Sequence, residues 1–106
     1  MSRIVSVVVE NVFADREVLE EAKKLLEKYR VAEMPLGFAV SSLVYVTIED
    51  GIARINYDQD IPQSRELAEK VSDAIIAASV AKSARMLGMD VYARETEDGY
   101  VIEGWT

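Results

Sequence analysis

Residues 43–57 read Leu43-Val44-Tyr45-Val46-Thr47-Ile48-Glu49-Asp50-Gly51-Ile52-Ala53-Arg54-Ile55-Asn56-Tyr57. Val44, Val46 and Ile48 fall on one side of an extended chain and Leu43, Tyr45 and Thr47 on the other, because strand side chains alternate. Asp50-Gly51 between two such runs is the strongest short-range hairpin signal, since a tight turn needs positive φ and Asp and Gly tolerate it. A long helix is expected next, from about Ser64 to Leu87. Pro62 suits its first turn, Ser64 is a candidate cap, and Gly88 fits a left-handed stop. The pattern then repeats. Asp90 to Glu97 reads as a strand, Asp98-Gly99 as a turn, and Tyr100 to Trp105 as a final strand.

Upstream, Arg3 to Glu10 is a β-branched run with little alternation, the signature of a strand buried on both faces and therefore central in a sheet. Asp15 is a natural helix N-cap, with Glu17 at the positive end of the dipole. Val18, Ala22, Leu25 and Tyr29, flanked by Leu19 and Leu26, form one apolar stripe, so helix 1 is expected to run to about Arg30. Met34-Pro35-Leu36-Gly37 then breaks the chain into a new element. The order is βαββαββ. It predicts one α+β domain over residues 1–106, with two helices packed on one face of a five-stranded, mainly antiparallel sheet.

Composition sets the chemical limits. The 106 residues carry 12 basic and 19 acidic side chains, a net charge of −7, with no cysteine and no histidine. Disulfides, thiol nucleophiles, Cys or His zinc sites and imidazole acid/base catalysis are thereby excluded. Residues 1–30 hold six bases and six acids, residues 31–63 one base and five acids, and residues 64–106 five bases and eight acids. No segment has the basic excess of a phosphate-backbone binder, so nucleic acid is not an expected partner. No apolar run reaches the ~18–20 residues that span a bilayer, and the N-terminal run reads as a strand rather than a signal peptide. A cytoplasmic location is the resulting expectation. Few amides (Asn11, Asn56, Gln59, Gln63) beside many Glu, Lys and Arg give a thermophile-like composition.

Helix 2 stands apart. At 100° per residue, Leu67, Val71, Ala74, Ala78 and Ala81 make one stripe, with Ile75 beside it, suited to a sheet. About 180° away lie Ile76, Val80 and Leu87, with Ala77 and Ala84 alongside. The spacing Ile76–Val80–Ser83–Leu87 is that of a helix–helix seam, and Ala77, Ser83 and Ala84 permit close approach. A two-layer domain covers one side of a helix. The expected interface is therefore Ile76, Ala77, Val80, Ser83, Ala84 and Leu87, pairing with a second copy about a two-fold axis. The competing reading is that helix 1 or residues 31–38 fold over this face within one chain.

Other constellations carry less. Asn56, Asp58 and Asp60 place oxygens at alternate positions, a pattern that can hold magnesium or calcium, but without the Gly turn and distal Glu of a calcium loop. They read as a polar loop with Asp60 helping to cap the helix, and no metal or cofactor is expected. Tyr45, Arg54, Tyr92 and Arg94 would share the open sheet face, an arrangement in which some single-strand RNA binders stack bases. Cross-strand Tyr–Arg packing is the plainer account. Lys70 and Lys82 reach water along helix 2, Ser41-Ser42 has no activating base, and Trp105 suits a core or interface plug. No phosphate-binding glycine loop is present, so the chain does not read as an enzyme.

From residue 40 to 104 the chain resembles the Roadblock/LC7 family of small dimeric regulatory proteins. The resemblance rests on the hairpin Leu43–Ile52, the long Ala-rich helix ending Met86-Leu87-Gly88, and Val91 to Val101 with Glu97-Asp98-Gly99-Tyr100. The chain departs from the family at both ends, with an added strand before helix 1 and no final helix. The resemblance implies a non-catalytic homodimer, paired through helix 2, that regulates or scaffolds a small GTPase, a motor or another protein. The alternative from the same element order is a ferredoxin-like binding domain, taking a small ligand or single-stranded nucleic acid on its open sheet face.

Overall fold

The computed structural model describes residues 3–105, the side chain of Trp105 excepted. Ten elements follow in order. They are β1 (Ile4–Val8), α1 (Arg16–Leu25), a 3-10 turn (Glu27–Tyr29), β2 (Val31–Met34), β3 (Gly37–Val40), β4 (Val44–Glu49), β5 (Ile52–Asp58), α2 (Pro62–Met86), β6 (Asp90–Thr96) and β7 (Gly99–Trp105). The expected class is present: two helices lie against a five-stranded antiparallel sheet. Its membership differs. The sheet runs β1-β5-β4-β3-β2, and β6-β7 form a separate two-stranded sheet.

Three local differences explain this. The segment 31–40, expected only to begin a new element, is a hairpin in which Val31 pairs with Val40 and Met34 with Gly37, turning at Pro35-Leu36. Its strands have four residues each, too short for alternation to show. The run 4–8 is not central. Among the described residues it pairs only with β5, from Ile4–Asp58 to Val8–Arg54. Finally, α1 ends at Leu25, where the Leu26 N–H bonds back to Ala22 and Lys23, and a tighter turn brings Tyr29 and Lys28 to the β6-β7 hairpin. There the Tyr29 hydroxyl donates to Glu95 Oε2 at 2.9 Å, and Lys28 pairs with the same carboxylate.

The Asp50-Gly51 turn forms as its chemistry requires, with φ of 53° and 79°. Asp15 caps α1, accepting from the Val18 N–H at 3.0 Å. Ser64 does not cap α2. Ile61 holds that position, and the buried Ser64 hydroxyl instead donates to the Leu43 carbonyl at 3.2 Å, fastening α2 to the start of β4. Asp60 is no cap either. The Asp58 carboxylate gathers the loop, accepting from the backbone N–H of Asp60 at 3.0 Å and of Arg3 at 3.3 Å.

The core lies between sheet and helices. Phe38, Val40, Val44, Val46, Ala53 and Ile55 meet Val18, Ala22 and Leu26 from α1, and Leu67, Val71, Ala74, Ile75 and Ala78 from α2. Apolar burial of this kind contributes roughly 25 cal/mol per Å². The β6-β7 hairpin packs against another side of α2. Its register puts Val91, Ala93, Tyr100 and Ile102 on one face and Tyr92, Arg94, Val101 and Glu103 on the other; Val91 is buried and Tyr100 packs on the core. Among the described residues no helix is long and apolar enough to cross a membrane.

Candidate functional site: the open side of α2

Two neighbours flank α2, the main sheet and the hairpin, and α1 lies alongside. The α1–α2 seam is tied by charge. The Arg85 guanidinium forks onto Glu21 at 2.7 and 2.9 Å and also donates to the Val91 carbonyl, while Lys82 pairs with Asp15. The hydrogen bond that Lys82 donates to Asp15 holds the Lys82 amine above its usual range, and the same bond, with that from the Val18 N–H, draws the Asp15 carboxyl down. Lys82 is thus a strut between helices rather than a free amine reaching water.

What remains uncovered is one lengthwise stripe. Ile76 is 41% exposed, Val80 49% and Leu87 82%, and Ser83 between them is exposed as well. Four of the six expected interface residues therefore come together in water. Ala77 does not join them: it is buried, at 7%, within the chain. Ala84 is half-buried. Both sit on the shoulder of the helix next to Ala81, which is fully buried, so the chain itself closes that shoulder. The sequence reading treated all residues opposite the sheet as open because it placed the β6-β7 hairpin inside the sheet.

The stripe continues into a groove. Val7, Ile55, Tyr57 and Ala68 line it, with Arg65, Glu69 and Ser72 from α2 along one wall. Here the helix-facing side of β1 lies open, and Val7 is 46% exposed. Sequence reasoning missed this part of the surface. The available signal was β1 itself, whose apolar run lacks the second neighbour it is built to have.

The four expected sheet-face residues are not together. Tyr45 and Arg54 lie on the outer face of the main sheet, where Tyr45 pairs with Asn56 and Arg54 with Thr47. Tyr92 and Arg94 lie on the separate hairpin. There Tyr92 donates to Glu103 Oε2 at 2.6 Å and Arg94 Nε to Glu103 Oε1 at 2.8 Å. Arg94, then Tyr92, lowers the Glu103 carboxyl, and Glu103 in turn raises the Tyr92 hydroxyl. These bonds neutralise the cation that a stacked nucleotide would need. Among the described residues no group of three or more His, Cys, Asp or Glu side chains is placed to hold a metal. Comparison with protein families, characterised proteins and solved structures gave no match.

Proposed function

We propose that this chain is a non-catalytic interaction or regulatory module, working in the cytoplasm as a homodimer that binds protein partners. One observation carries the reading: Ile76, Val80 and Leu87 form an apolar stripe that the described residues leave exposed to water. Contiguous exposed apolar surface on a small domain marks contact sites. The missing imidazole and thiol and the paired state of Lys82 support a role without catalysis. A small GTPase is one partner that the resemblance to dimeric regulators suggests.

The magnitudes support association and show its limit. Together the three residues leave somewhat less than two side chains' worth of apolar surface in water. At ~1.5–3 kcal/mol per fully buried side chain, covering them in both protomers yields roughly 5–10 kcal/mol. Association costs about 4–15 kcal/mol in lost freedom. The stripe alone therefore comes close to balancing the cost, and a stable pair draws on neighbouring surface too.

The test is the solution mass by light scattering across a concentration series. The wild type is expected at twice the mass of one chain. Ile76→Glu with Val80→Glu is expected at single mass with unchanged circular dichroism, because both positions are half exposed in the folded chain. A wild type of single mass at all concentrations overturns the homodimer.

A further inference from the structure

We infer that the open edge of β1 is the joint of the homodimer, pairing antiparallel with the β1 of a second copy about a two-fold axis at Ser6, so that two five-stranded sheets become one of ten. This rests on the homodimer proposed above and specifies where the copies meet.

The sequence of β1 and its position disagree. Between Arg3 and Glu10 there is no charged residue and no proline. Yet β1 ends the sheet, with β5 on one side and, among the described residues, no strand on the other. Ile4 is 67% exposed. Proteins guard such edges with charge, proline or bulges, because an open strand recruits another. The opposite edge obeys this rule: β2 carries Glu33, paired with Lys23, and Pro35 follows it. The β1 edge has none of these guards.

The backbone is ready to pair. The Arg3 carbonyl accepts from the Gln59 N–H at 2.9 Å, and the Val9 N–H donates to the Ala53 carbonyl at 3.0 Å. Hydrogen bonding alternates along an antiparallel strand. Odd-numbered residues thus spend their backbone groups on β5, and Ile4, Ser6 and Val8 turn theirs to the open side.

A second copy fits this edge better than an unrelated strand. An antiparallel register centred on Ser6 sets Ile4 against the partner's Val8 and Val5 against the partner's Val7. Apolar side chains then meet on both faces, and the smallest side chain of the strand meets itself on the axis. Three facing pairs exchange two backbone bonds each. At both ends Arg3 of one chain falls opposite Val9 of the other, so the register brings no like charges together.

The area is close to what a stable pair buries. The α2 stripe and the β1 edge lie on the same side of the molecule, joined by the groove that Val7 lines. A 25-residue helix is ~37 Å long and a helix on a sheet stands roughly 20 Å high, giving about 700 Å² per chain. Stable complexes bury ~800 Å² per partner. The two α2 helices would face each other across about three strand spacings, ~14 Å, with the Val5 and Val7 side chains flooring the space between.

The chain has no cysteine, so Ser6→Cys introduces a single thiol. Cα atoms across a hydrogen-bonded antiparallel pair are ~5.5 Å apart, within the range of a disulfide. Mild oxidation should convert S6C almost wholly to a covalent dimer, and at least tenfold faster than Thr47→Cys, a thiol on the same outer face two strands inward. Ser6→Pro removes one outward N–H and leaves the bonds to β5 intact, so it should keep the fold and weaken dimerisation at least a hundredfold. If the wild type has dimer mass but S6C does not cross-link faster than T47C, the joint lies elsewhere, and the edge pairing falls while the homodimer stands. A wild type of single mass overturns both. If S6P does not fold, the comparison of S6C with T47C decides alone.

Discussion

Ile75 and Ile76 are consecutive, chemically identical and placed on different sides of α2, so truncating each in turn tests the surface assignment directly. Ile75 is fully buried against the sheet, whereas Ile76 is 41% exposed. Ile→Ala removes three carbons, worth ~0.8 kcal/mol each when wholly buried. For Ile75 the transfer loss of ~2.4 kcal/mol is joined by a cavity term, because a packed core relaxes only in part, so ~3–4 kcal/mol is expected. For Ile76 the transfer loss scales to ~1.4 kcal/mol, and the better helix propensity of alanine returns ~0.4 of it, leaving about 1 kcal/mol. The assay is urea unfolding followed by circular dichroism, with both variants and wild type at about 1 and about 100 µM. The Ile75→Ala loss should not depend on concentration. The Ile76→Ala loss should grow at the higher concentration, where association adds burial at that site and not at Ile75. An Ile76→Ala loss as large as that of Ile75→Ala in dilute solution would refute the face assignment and, with it, the open stripe.

Two further outcomes follow from polar groups. Asp15→Ala removes both the α1 cap and the tie to Lys82 and should cost ~1–2 kcal/mol, while Asp15→Asn keeps a capping oxygen and should cost less than half of that. The pH dependence has a definite sign. The Asp15 carboxyl is lowered from its usual 3.8 on folding, so its contribution is complete above that value and is lost as pH falls through the lower folded value; the Asp15→Asn deficit should therefore hold through neutrality and shrink in acid unfolding below about pH 4. Tyr100 keeps its hydroxyl out of water with no hydrogen-bond partner among the described residues, and burial pushes its pKa up, so the hydroxyl stays protonated. Tyr100→Phe should leave the fold intact and raise stability by about 1 kcal/mol in thermal unfolding, because an unsatisfied buried hydroxyl costs ~1–3 kcal/mol; a loss of stability would show that the hydroxyl is bonded.

The candidate surface was only partly legible in the sequence. The 4-3-4 spacing located Ile76, Val80, Ser83 and Leu87, because angular position around a helix depends on residue number alone. The same arithmetic could not separate Ala77 from Ile76. Their difference comes from the β6-β7 hairpin and the way it closes one shoulder of α2, and no spacing within the helix encodes that. Tyr45 and Arg54 were correctly paired on one face by strand alternation. Adding Tyr92 and Arg94 to that face required knowing which strands share a sheet, which is a long-range fact.

Local chemistry in the sequence determined the Asp15 cap, the two helices, the Asp50-Gly51 hairpin and the excluded chemistries, since each depends on residues a few positions apart. It also showed the second hairpin, with its turn one residue late at Asp98-Gly99, where the chain turns at Glu97-Asp98 and Gly99 pairs with Thr96. The tertiary structure decided the strand order, the exile of β6-β7 from the main sheet and the placement of β1 at its rim. A β-branched run specifies an extended, apolar strand, but its neighbours are chosen by which surfaces the rest of the chain leaves free. In β1 those two levels disagree. A strand composed for an interior has been left with one side unfilled, and only the assembled fold reveals it.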